Sequence, residues 1–531
     1  MNNHNGEHIL EFIKSIDKYV ISKYELKDIK SLVWKWSKWL APSFHQKIKD
    51  DIENQVNQVI TESFPPIEGL PLQLELPNEG LSDDEILRRL GLLQKSDVDT
   101  KQGKLFAYVY PTLERQEKII VEAQNMFVHL NALNPTAFQS LRRMEVEVVQ
   151  MIINLLNGGE SARGTMTSGG TESLLMAIKT YRDRAFDLYN ITEPEVVLPI
   201  TAHPALEKAG RYFQVKLRYV PLVGDCQVDM RAFEKTINRN TILLVGSAPQ
   251  YPHGLMDPIQ EMGRLALKYK LPLHVDSCFG GLFLPFMEKL GFEVPPFDFR
   301  VPGVTSISAD IHKFGYCTKG SSVLSFINDS YRMYQFMPYV GWPGGLFVSP
   351  SMLGTRGGGP IAAAWTSLVA HGENNYKEIT ARIMVTARAI REGINSIDGL
   401  RVIGNPVMCA LAFVSENPEV NVHCIADLMQ SNTKLGWKLE RTHKPNAVHL
   451  TLMQSHVGKQ DELIADLRQC YETVAKDPKQ YINKGSAAMY SGIANIPLDN
   501  IADDFLKCFL AKTYSAPSRT AEQQPNFAKQ N

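Results

Sequence analysis

Short apolar runs alternate with amphipathic helical segments through the middle of the chain. Runs rich in β-branched residues predict strands at residues 196–200, 217–222, 241–247, 271–276, 305–309 and 321–327. Helical periodicity lies between several of them, as at residues 171–186 and 258–269. Strands that are apolar on both faces are typical of a largely parallel sheet sandwiched by helices. The pattern therefore predicts an α/β fold, in which ligands bind beyond the carboxyl ends of the strands.

The pattern changes on either side of this region and divides the chain into four parts. Residues 1–140 predict an N-terminal helical segment with a proline-rich strap at 64–77. Residues 141–375 hold the alternating strands and helices of the large α/β domain. A long helix, then short strands interleaved with helices, predicts a small C-terminal α+β domain over 376–515. The polar composition of 516–531 predicts a disordered tail.

Composition narrows the class of protein without assigning a function. Of the 531 residues, 44% are hydrophobic and 21% are charged, which is typical of a soluble globular protein. The net charge of −1 gives no positive field for nucleic acid. The seven cysteines are scattered and form no CxxC pair. We therefore expect neither a disulfide framework nor a metal site, and a reducing compartment fits this cysteine usage better than an oxidising one.

The N-terminal region bears on membrane contact. No run reaches the ~18 apolar residues of a spanning helix, and residues 1–12 lack the order of a signal peptide. We therefore expect a soluble, or at most peripheral, protein. Residues 30–40 interleave Trp34, Trp36 and Trp39 with lysines. That pattern predicts either an interfacial helix on a membrane surface or a helix packed on a neighbouring domain or subunit.

One lysine and one aspartate follow two successive predicted strands. Lys313 lies in SISADIHKFGY, after the strand that ends near residue 309, and Asp276 lies in LPLHVDSCFGG, at the end of the preceding strand. A lysine amine can attach to the aldehyde of pyridoxal phosphate (PLP), and an aspartate can keep the pyridine nitrogen protonated. The pair therefore predicts a PLP site. A turn or capping role is the alternative for Asp276.

Glycines and a hydroxyl upstream suit the phosphate of this cofactor. TSGGTES places Gly169, Gly170 and Thr171 before a predicted helix, where backbone amides and the helix dipole favour an anion. An ordinary helix cap with Glu172 in the first turn is the alternative. A second glycine-rich loop, SPSMLGTRGGGP, carries Thr355, expected to bind the cofactor, and Arg356, expected to bind the substrate, in this or a neighbouring subunit's site. A flexible connection is its alternative.

Two histidines and a second lysine complete the candidate residues. His203 follows a predicted strand, where its ring can lie flat against the pyridine, although a core or helix-start histidine is the alternative. His312 adjoins Lys313 and can contact the cofactor phosphate or serve the structure. Lys319, in TKGSS, can meet a substrate phosphate or an active-site tyrosine, whereas most lysines are solvated surface groups.

In this order along the chain, the motifs resemble fold-type I PLP enzymes of the group II decarboxylase-like family. The resemblance is strongest to the soluble, bacterial-type sphingosine-1-phosphate lyases. The strings that carry it are LLNGG, TSGGTES, AHPALEKA, PQYPHGLMDP, YKLPLHVDSCFGG, FDFRVPGVTSISADIHKFGY, KGSSVLSF, YQF and HGENNY. Together they span roughly residues 110–514. The resemblance implies a mostly parallel, seven-stranded type of sheet between helices, followed by the small α+β domain.

The resemblance also implies roles for individual residues. It makes Lys313 the Schiff-base lysine, Asp276 the pyridinium partner and His203 the stacking ring, with Gly170, Thr171 and His312 at the cofactor phosphate. Tyr110 falls where the family has a catalytic tyrosine, and we expect a cation such as Lys319 to lower its pKa.

Further positions match residues that line the family's substrate pocket. Tyr251 and Lys319 are two of them, and Asn131 is a third. Asn134 departs from the pattern, because it stands where the family has a histidine near the substrate phosphate. An amide can donate a hydrogen bond there but cannot carry charge. The affinity for the phosphate, or its dependence on pH, is therefore expected to differ from that of the family.

The activity implied is cleavage of a phosphorylated long-chain base to a fatty aldehyde and phosphoethanolamine by a homodimer with shared active sites. Tyr110 is the candidate base for the C3 hydroxyl, with Lys313 or a phosphate oxygen as alternatives. Two other functions stay open: an amino acid decarboxylase on the same fold, and a non-catalytic lipid or membrane interaction protein. A cytoplasmic location is expected, with export into a host cell and contact with host membranes if the source is an intracellular pathogen.

Overall fold

A computed structural model describes residues 42–432, 434–482 and 499–516. The predicted tryptophan–lysine helix at 30–40 and nearly all of the predicted tail at 516–531 lie outside these residues. The helices are α1 Pro42–Ser63, α2 Asp83–Lys95, α3 Glu114–Met126, α4 Gln139–Leu155, α5 Gly170–Tyr189, α6 Ala205–Phe213, α7 Met230–Thr236, α8 Ile259–Tyr269, α9 Leu284–Lys289, α10 Asp329–Arg332, α11 Gly358–Asn395, α12 Val422–Ser431, α13 Gln460–Lys476 and α14 Asp499–Thr513. Short 3-10 turns occupy Met333–Gln335, Gln454–His456 and Pro478–Gln480.

Within the described residues, the strands fall into one large sheet, one smaller sheet and two hairpins. They are β1 Arg163–Thr167, β2 Glu195–Pro199, β3 Lys216–Val220, β4 Leu222–Val223, β5 Gln227–Val228, β6 Thr241–Ser247, β7 Leu273–Asp276, β8 Val304–Asp310, β9 Ser322–Phe326, β10 Met337–Tyr339, β11 Phe347–Ser349, β12 Leu400–Val402, β13 Ala410–Ser415, β14 Glu440–Thr442 and β15 Ala447–Thr451. All six predicted strands coincide with observed ones to within two residues at each end.

Seven strands form the central sheet in the order β1-β9-β8-β7-β6-β2-β3. The pairs from β8 to β3 are parallel, and β9 runs antiparallel to both of its neighbours. Along β2, Val197 joins one buried cluster, whereas Val196 and Leu198 join another. Apolar residues on both faces are therefore buried by helices, which confirms the predicted fold class.

A four-stranded antiparallel sheet, β12-β13-β15-β14, follows the central sheet in the chain. Helices α12 and α13 accompany it, so the predicted mixture of strands and helices is present after residue 395. The helix expected at 376–395 begins earlier, at Gly358, and contains a break at Gly372, where φ is 58°. The predicted domain boundary at 375 lies three residues after this break.

The chain divides into two compact units that differ from the predicted domains. One comprises the described parts of Met1–Val98 and Ala488–Asn531, where Lys512 of α14 pairs with Glu53 of α1. The other, Asp99–Ala487, contains both sheets and the predicted boundaries at 140 and 375. Among the residues described, no helix is both long and apolar enough to cross a membrane.

The topology brings the candidate residues to one edge of the central sheet. Strands β7 and β8 are parallel neighbours, and they end at Asp276 and Asp310. Lys313 follows β8 by three residues, and His203 follows β2 by four. Because parallel strands end at the same edge, side chains from distant parts of the sequence meet there.

Candidate active site

A cavity of about 670 Å³ lies at this edge, within the unit Asp99–Ala487. Ten of the predicted site residues line it: Tyr110, Gly169, Gly170, Thr171, His203, Tyr251, Asp276, His312, Lys313 and Lys319. The other four, Asn131, Asn134, Thr355 and Arg356, are not among its lining residues. A single chain therefore assembles most, but not all, of the site that the sequence predicts.

The amine of Lys313 is paired with a carboxylate that the sequence analysis missed. Its Nζ lies 3.1 Å from Oδ2 of Asp310, and the side chain is 24% exposed. Burial opposes the charge on Lys313, but attraction to Asp310 outweighs it and raises the pKa of Lys313 above its ordinary value. The string SISADIHK contains a signal for this pair, because Asp310, three residues before Lys313, is the last residue of the strand that precedes the lysine.

Asp310 is nearly inaccessible, and its second oxygen, Oδ1, has no hydrogen-bond partner among the residues that the structure describes. Burial alone would raise the pKa of Asp310, but Lys313 and His312 reverse the effect and lower it. A buried acceptor without a partner is costly, and it marks a position where a bound group can supply a donor.

Asp276 presents one oxygen to the protein and keeps the other free. Oδ1 accepts hydrogen bonds from the backbone N–H of Cys278, at 3.1 Å, and from the hydroxyl of Ser308, at 3.3 Å. Oδ2 makes no hydrogen bond with any residue that the structure describes. An acceptor oxygen on a cavity-lining carboxylate is what a protonated ring nitrogen requires.

His203 is held by the start of the helix that follows it. Its Nδ1 accepts the backbone N–H of Ala205 at 3.1 Å. Burial lowers the pKa of His203, with Asp276 only partly offsetting the effect. The ring is therefore neutral near pH 7 with its proton on Nε2, and it lines the same cavity as Asp276 and Lys313.

The two glycines of TSGGTES allow a close approach that a side chain would prevent. Gly169 has φ of 155°, and a Cβ there would lie 3.0 Å from Cε1 of His312. A Cβ on Gly170 would lie 2.7 Å from Oδ2 of Asp310 and 2.8 Å from Sγ of Cys278. Gly170 begins α5, so free N–H groups point outward there. This cradle at a helix start fits the phosphate of PLP.

Glu172 fixes this loop rather than serving as a simple cap. Its Oε2 accepts the N–H of Ser168 at 2.6 Å, and its Oε1 accepts the N–H of Met352 at 2.7 Å. The carboxylate thus ties the loop at residues 168–170 to the second glycine-rich loop. One side chain therefore holds both glycine-rich loops, a contact that the spacing of residues in the sequence does not predict.

His312 and Lys319 support each other beside the cavity. Nδ1 of His312 accepts the N–H of Ser321 at 3.1 Å, and Nζ of Lys319 donates to the carbonyl of His312 at 3.2 Å. Burial lowers the pKa of both side chains. The same Nζ lies 4.9 Å from the ring centroid of Tyr110, which places Lys319 beside the tyrosine as expected.

The expected effect of a cation on Tyr110 is wrong in its net direction. Burial raises the pKa of Tyr110, and the attraction of Lys313 reduces this effect without reversing it. The phenol therefore stays protonated and acts first as a hydrogen-bond donor. Its ring packs edge-on against Phe314, with 5.2 Å between centroids.

On the side of the cavity formed by the small sheet, the predicted Tyr251 is joined by Tyr108 and Glu440, which the sequence did not suggest. Tyr251 is 37% exposed, and its ring centroid lies 4.2 Å from that of His449. The hydroxyl of Tyr108 donates to Oε2 of Glu440 at 2.8 Å, and both residues line the cavity. Glu440 comes from β14, so the small sheet contributes part of the wall.

Of the remaining four predicted residues, Asn131 bonds to Thr355 and to Arg356, whereas Asn134 bonds within its own turn. Oδ1 of Asn131 accepts the N–H of Arg356 at 3.1 Å, and its Nδ2 donates to Oγ1 of Thr355 at 3.4 Å. The Arg356 guanidinium is paired with Glu145. Asn134 accepts from the backbone N–H groups of residues 136 and 137 and so caps a turn. Within one chain these side chains bond to each other and to nearby structure.

Comparisons with known proteins agree with this geometry. The model of the pyridoxal-dependent decarboxylase conserved domain matches residues 66–415. Sphingosine-1-phosphate lyase 1 of Rattus norvegicus is 40% identical over 455 residues, which is 85% of this chain and 79% of the relative. The structure of a Burkholderia pseudomallei sphingosine-1-phosphate lyase is similar with a TM-score of 0.75 and 33% identity, covering 82% of this chain and 99% of that one.

Decarboxylase structures are more distant. Glutamate decarboxylase from Lactobacillus brevis has a TM-score of 0.66 at 20% identity and covers 77% of this chain and 97% of its own. At that identity the likeness concerns the fold alone. The residue-level similarity is therefore with the lyases, and the cradle, the free oxygen of Asp276 and the buried amine of Lys313 all fit PLP.

Proposed function

The chain belongs to the pyridoxal-dependent decarboxylase family and, within it, to the sphingosine-1-phosphate lyases; from this premise we propose the reaction that follows. The protein cleaves sphingosine 1-phosphate and related phosphorylated long-chain bases, by retro-aldol cleavage, to a fatty aldehyde and phosphoethanolamine. One observation carries the proposal: Lys313, Asp276 and His203 line a single cavity in a chain that is 40% identical to such a lyase.

The residues of the cavity divide the work of binding. PLP, when bound, supplies the electron sink that stabilises the carbanion at C2. Lys313 provides the amine that holds it, and Oδ2 of Asp276 holds the proton of the ring nitrogen. The neutral ring of His203 would stack on the pyridine. Thr171 and His312, with the N–H groups at Gly169 and Gly170, receive the cofactor phosphate.

The proton on the C3 hydroxyl of the substrate must leave as the C2–C3 bond breaks. Tyr110 lines the cavity beside Lys319, so we place its hydroxyl at this oxygen. Because burial keeps Tyr110 protonated, its hydroxyl donates a hydrogen bond, and it can take the C3 proton only if it passes its own proton to the amine of Lys313 or to a phosphate oxygen of the substrate. Lys313 and a phosphate oxygen of the substrate stay alternative acceptors. Tyr251 and Lys319 are placed against the substrate itself.

A second copy of the chain is proposed to complete the site. Asn131, Asn134, Thr355 and Arg356, here called the second group, do not line the cavity of their own chain. The hairpin β10–β11, which precedes Thr355 in the sequence, and its turn expose large apolar side chains: Val340 at 79%, Trp342 at 53%, Leu346 at 84% and Val348 at 66%. Contiguous exposed apolar residues mark an interaction surface.

Mixing two inactive variants tests this arrangement. Lys313→Ala lacks the amine, and Thr355→Ala/Arg356→Ala lacks the second group. If the group serves the partner's site, mixing and reassembly restores some active sites and turnover reappears. The same mixture made with Lys313→Ala and Asp276→Asn should stay inactive if one chain supplies both, because each site then carries one defect whatever the pairing. Absence of turnover in the first mixture would place Thr355 and Arg356 in their own chain's site.

Product analysis tests the reaction itself. The purified protein is incubated with PLP and sphingosine 1-phosphate, and separately with glutamate or an aromatic amino acid. We expect a long-chain aldehyde and phosphoethanolamine in equal amounts from the first, and no carbon dioxide from the others. Carbon dioxide without aldehyde would identify a decarboxylase. Lipid binding without turnover would favour the non-catalytic alternative.

The cellular location is proposed from the resemblance alone. A cytoplasmic enzyme with peripheral contact to a membrane is consistent with the tryptophans and lysines at residues 30–40. Flotation with anionic vesicles tests the contact, comparing the full chain with a Trp34→Ala/Trp36→Ala variant. Equal flotation of both, or none by either, would favour the alternative that this segment packs on protein.

A further inference from the structure

A chain of buried hydrogen bonds ends on Asp276 from behind the cavity. The hydroxyl of Tyr181 donates to Oγ of Ser306 at 2.8 Å, and Oγ of Ser306 lies 2.8 Å from Nδ1 of His274. Nε2 of His274 lies 3.3 Å from Oγ of Ser308, which donates to Oδ1 of Asp276 at 3.3 Å. The first four of these residues are at most 1% exposed, and Asp276 is 8% exposed.

The register of two strands builds this chain. His274 pairs with Ser306, and Asp276 pairs with Ser308, on the parallel neighbours β7 and β8. Residues two apart on a strand point to the same face, so all four side chains share one face of the sheet. Tyr181, from α5, covers that face and supplies the hydroxyl at the far end. The first and last residues of HVD (274–276) and of SIS (306–308) thus belong to one series of hydrogen bonds.

The donors can all point toward the carboxylate. Tyr181 donates to Ser306, so the Ser306 proton is available for Nδ1 of His274. The imidazole then carries its proton on Nε2 and donates to Ser308, whose own proton goes to Asp276. Burial lowers the pKa of His274 to about 4, which agrees with a neutral ring. Hydrogen bonds arranged in one direction strengthen one another.

We propose that Tyr181, Ser306, His274 and Ser308 are positioning residues, which fix the orientation of the Asp276 carboxylate and reserve its Oδ2 for the ring nitrogen of PLP. Oδ1 is occupied by Ser308 and by the N–H of Cys278, so the carboxyl group cannot rotate without losing two bonds. None of the four is placed at the substrate. The inference rests on the proposed role of Asp276 within the proposed function.

The hydrogen bonds that run from Tyr181 through Ser306, His274 and Ser308 to Asp276 are here called the relay. Two mild substitutions interrupt it, and each has a matched control. Tyr181→Phe removes only a hydroxyl; Tyr331→Phe is its control, because that ring lies 5.9 Å away and its hydroxyl makes none of these bonds. Ser308→Ala removes the last donor; Ser325→Ala is its control, because Ser325 is equally buried but donates to the carbonyl of Ile307. Asp276→Asn serves as the reference for loss of the carboxylate.

Two measurements report on the ring nitrogen independently of turnover. The affinity of the cofactor-free protein for PLP is measured by titration, and the protonation of the ring nitrogen is measured by NMR with ¹⁵N-labelled PLP. Ser308→Ala is expected to weaken binding about tenfold, the loss typical of one hydrogen bond to a charged group. Tyr181→Phe, which lies four hydrogen bonds from Asp276, is expected to weaken the binding of PLP about threefold. Both move the nitrogen signal toward the unprotonated form.

Each possible result either supports or overturns the proposal. Shifts in the relay variants, with unchanged controls, support the proposal. If Asp276→Asn moves the nitrogen signal but Ser308→Ala and Tyr181→Phe do not, the relay is overturned and Asp276 keeps its role. If the controls shift as much as the relay variants, the effect is packing and the proposal fails. If Asp276→Asn itself leaves the signal unchanged, the role of Asp276 is wrong, and the relay falls with it.

Discussion

Replacing Lys313 with methionine in the cofactor-free protein leaves Asp310 without its cationic partner. The two charges are 3.1 Å apart, and Coulomb's law with an effective dielectric constant of about 20 gives an attraction of roughly 5 kcal/mol before desolvation. Removing one member of a buried pair costs about 3–5 kcal/mol. Since Lys313 is 24% exposed and His312 lies 3.6 Å from the same carboxylate, we expect the lower end, about 3 kcal/mol.

A double-mutant cycle isolates the interaction free energy between Lys313 and Asp310. The free energy of unfolding in urea is measured for the cofactor-free wild type, Lys313→Met, Asp310→Asn and the double variant. We expect the double variant to be more stable than the sum of the single losses predicts, by about 2 kcal/mol. The matched cycle with Lys319→Met in place of Lys313→Met is expected to give less than about 0.5 kcal/mol.

The pH of the measurement follows from the two pKa shifts. The pKa of Asp310 is lowered, so its contribution is present above the unfolded value and is lost as acid protonates it in the folded protein. The pKa of Lys313 is raised, so its contribution is present below the unfolded value and is lost only in stronger alkali. Near pH 7 both are intact. Strictly additive losses at that pH would refute the pairing as the source of the raised lysine pKa.

Three further substitutions give independent predictions. Gly170→Ala should weaken PLP binding by about tenfold or more, measured by titration, because its Cβ would lie 2.7 Å from Asp310 Oδ2; unchanged affinity would remove the glycine from the cradle. Tyr110→Phe should keep PLP yet lose about 10²–10⁴-fold in turnover, and turnover like that of the wild type would remove it from the mechanism. In the Asn134→His variant, KM for the phosphorylated substrate should decrease when the pH is lowered below about 6.5, because the histidine then gains charge. A KM that does not change with pH would place residue 134 away from the phosphate.

The sequence predicts the elements that end in functional residues better than the contacts between them. Strands ending near Asp276 and Asp310 follow from apolar runs, and Lys313 follows from the loop after the second. The pairing of Lys313 with Asp310 does not follow from the sequence. An aspartate three residues before a lysine is compatible with many different contacts. The relay through His274 depends on the register between β7 and β8, which no local pattern specifies.

Burial is the second quantity that the sequence does not supply. A cation near Tyr110 was expected to lower its pKa, yet desolvation dominates once the side chain is enclosed by Phe314 and its neighbours. Arg356 and Asn131 illustrate a third limit. Each lies in a recognisable sequence motif, but neither lines the cavity of its own chain, so the role proposed for them depends on the proposed second copy.

Reduction of the PLP-loaded protein with borohydride, followed by peptide mass spectrometry, tests the central claim most directly. The reagent fixes the cofactor on whichever amine holds it. The account predicts the added mass on the peptide containing Lys313, its loss together with the visible absorbance band in Lys313→Ala, and retention of both in Lys319→Ala. A label on Lys319, or on any other lysine in the wild type, would contradict the assignment of the cavity.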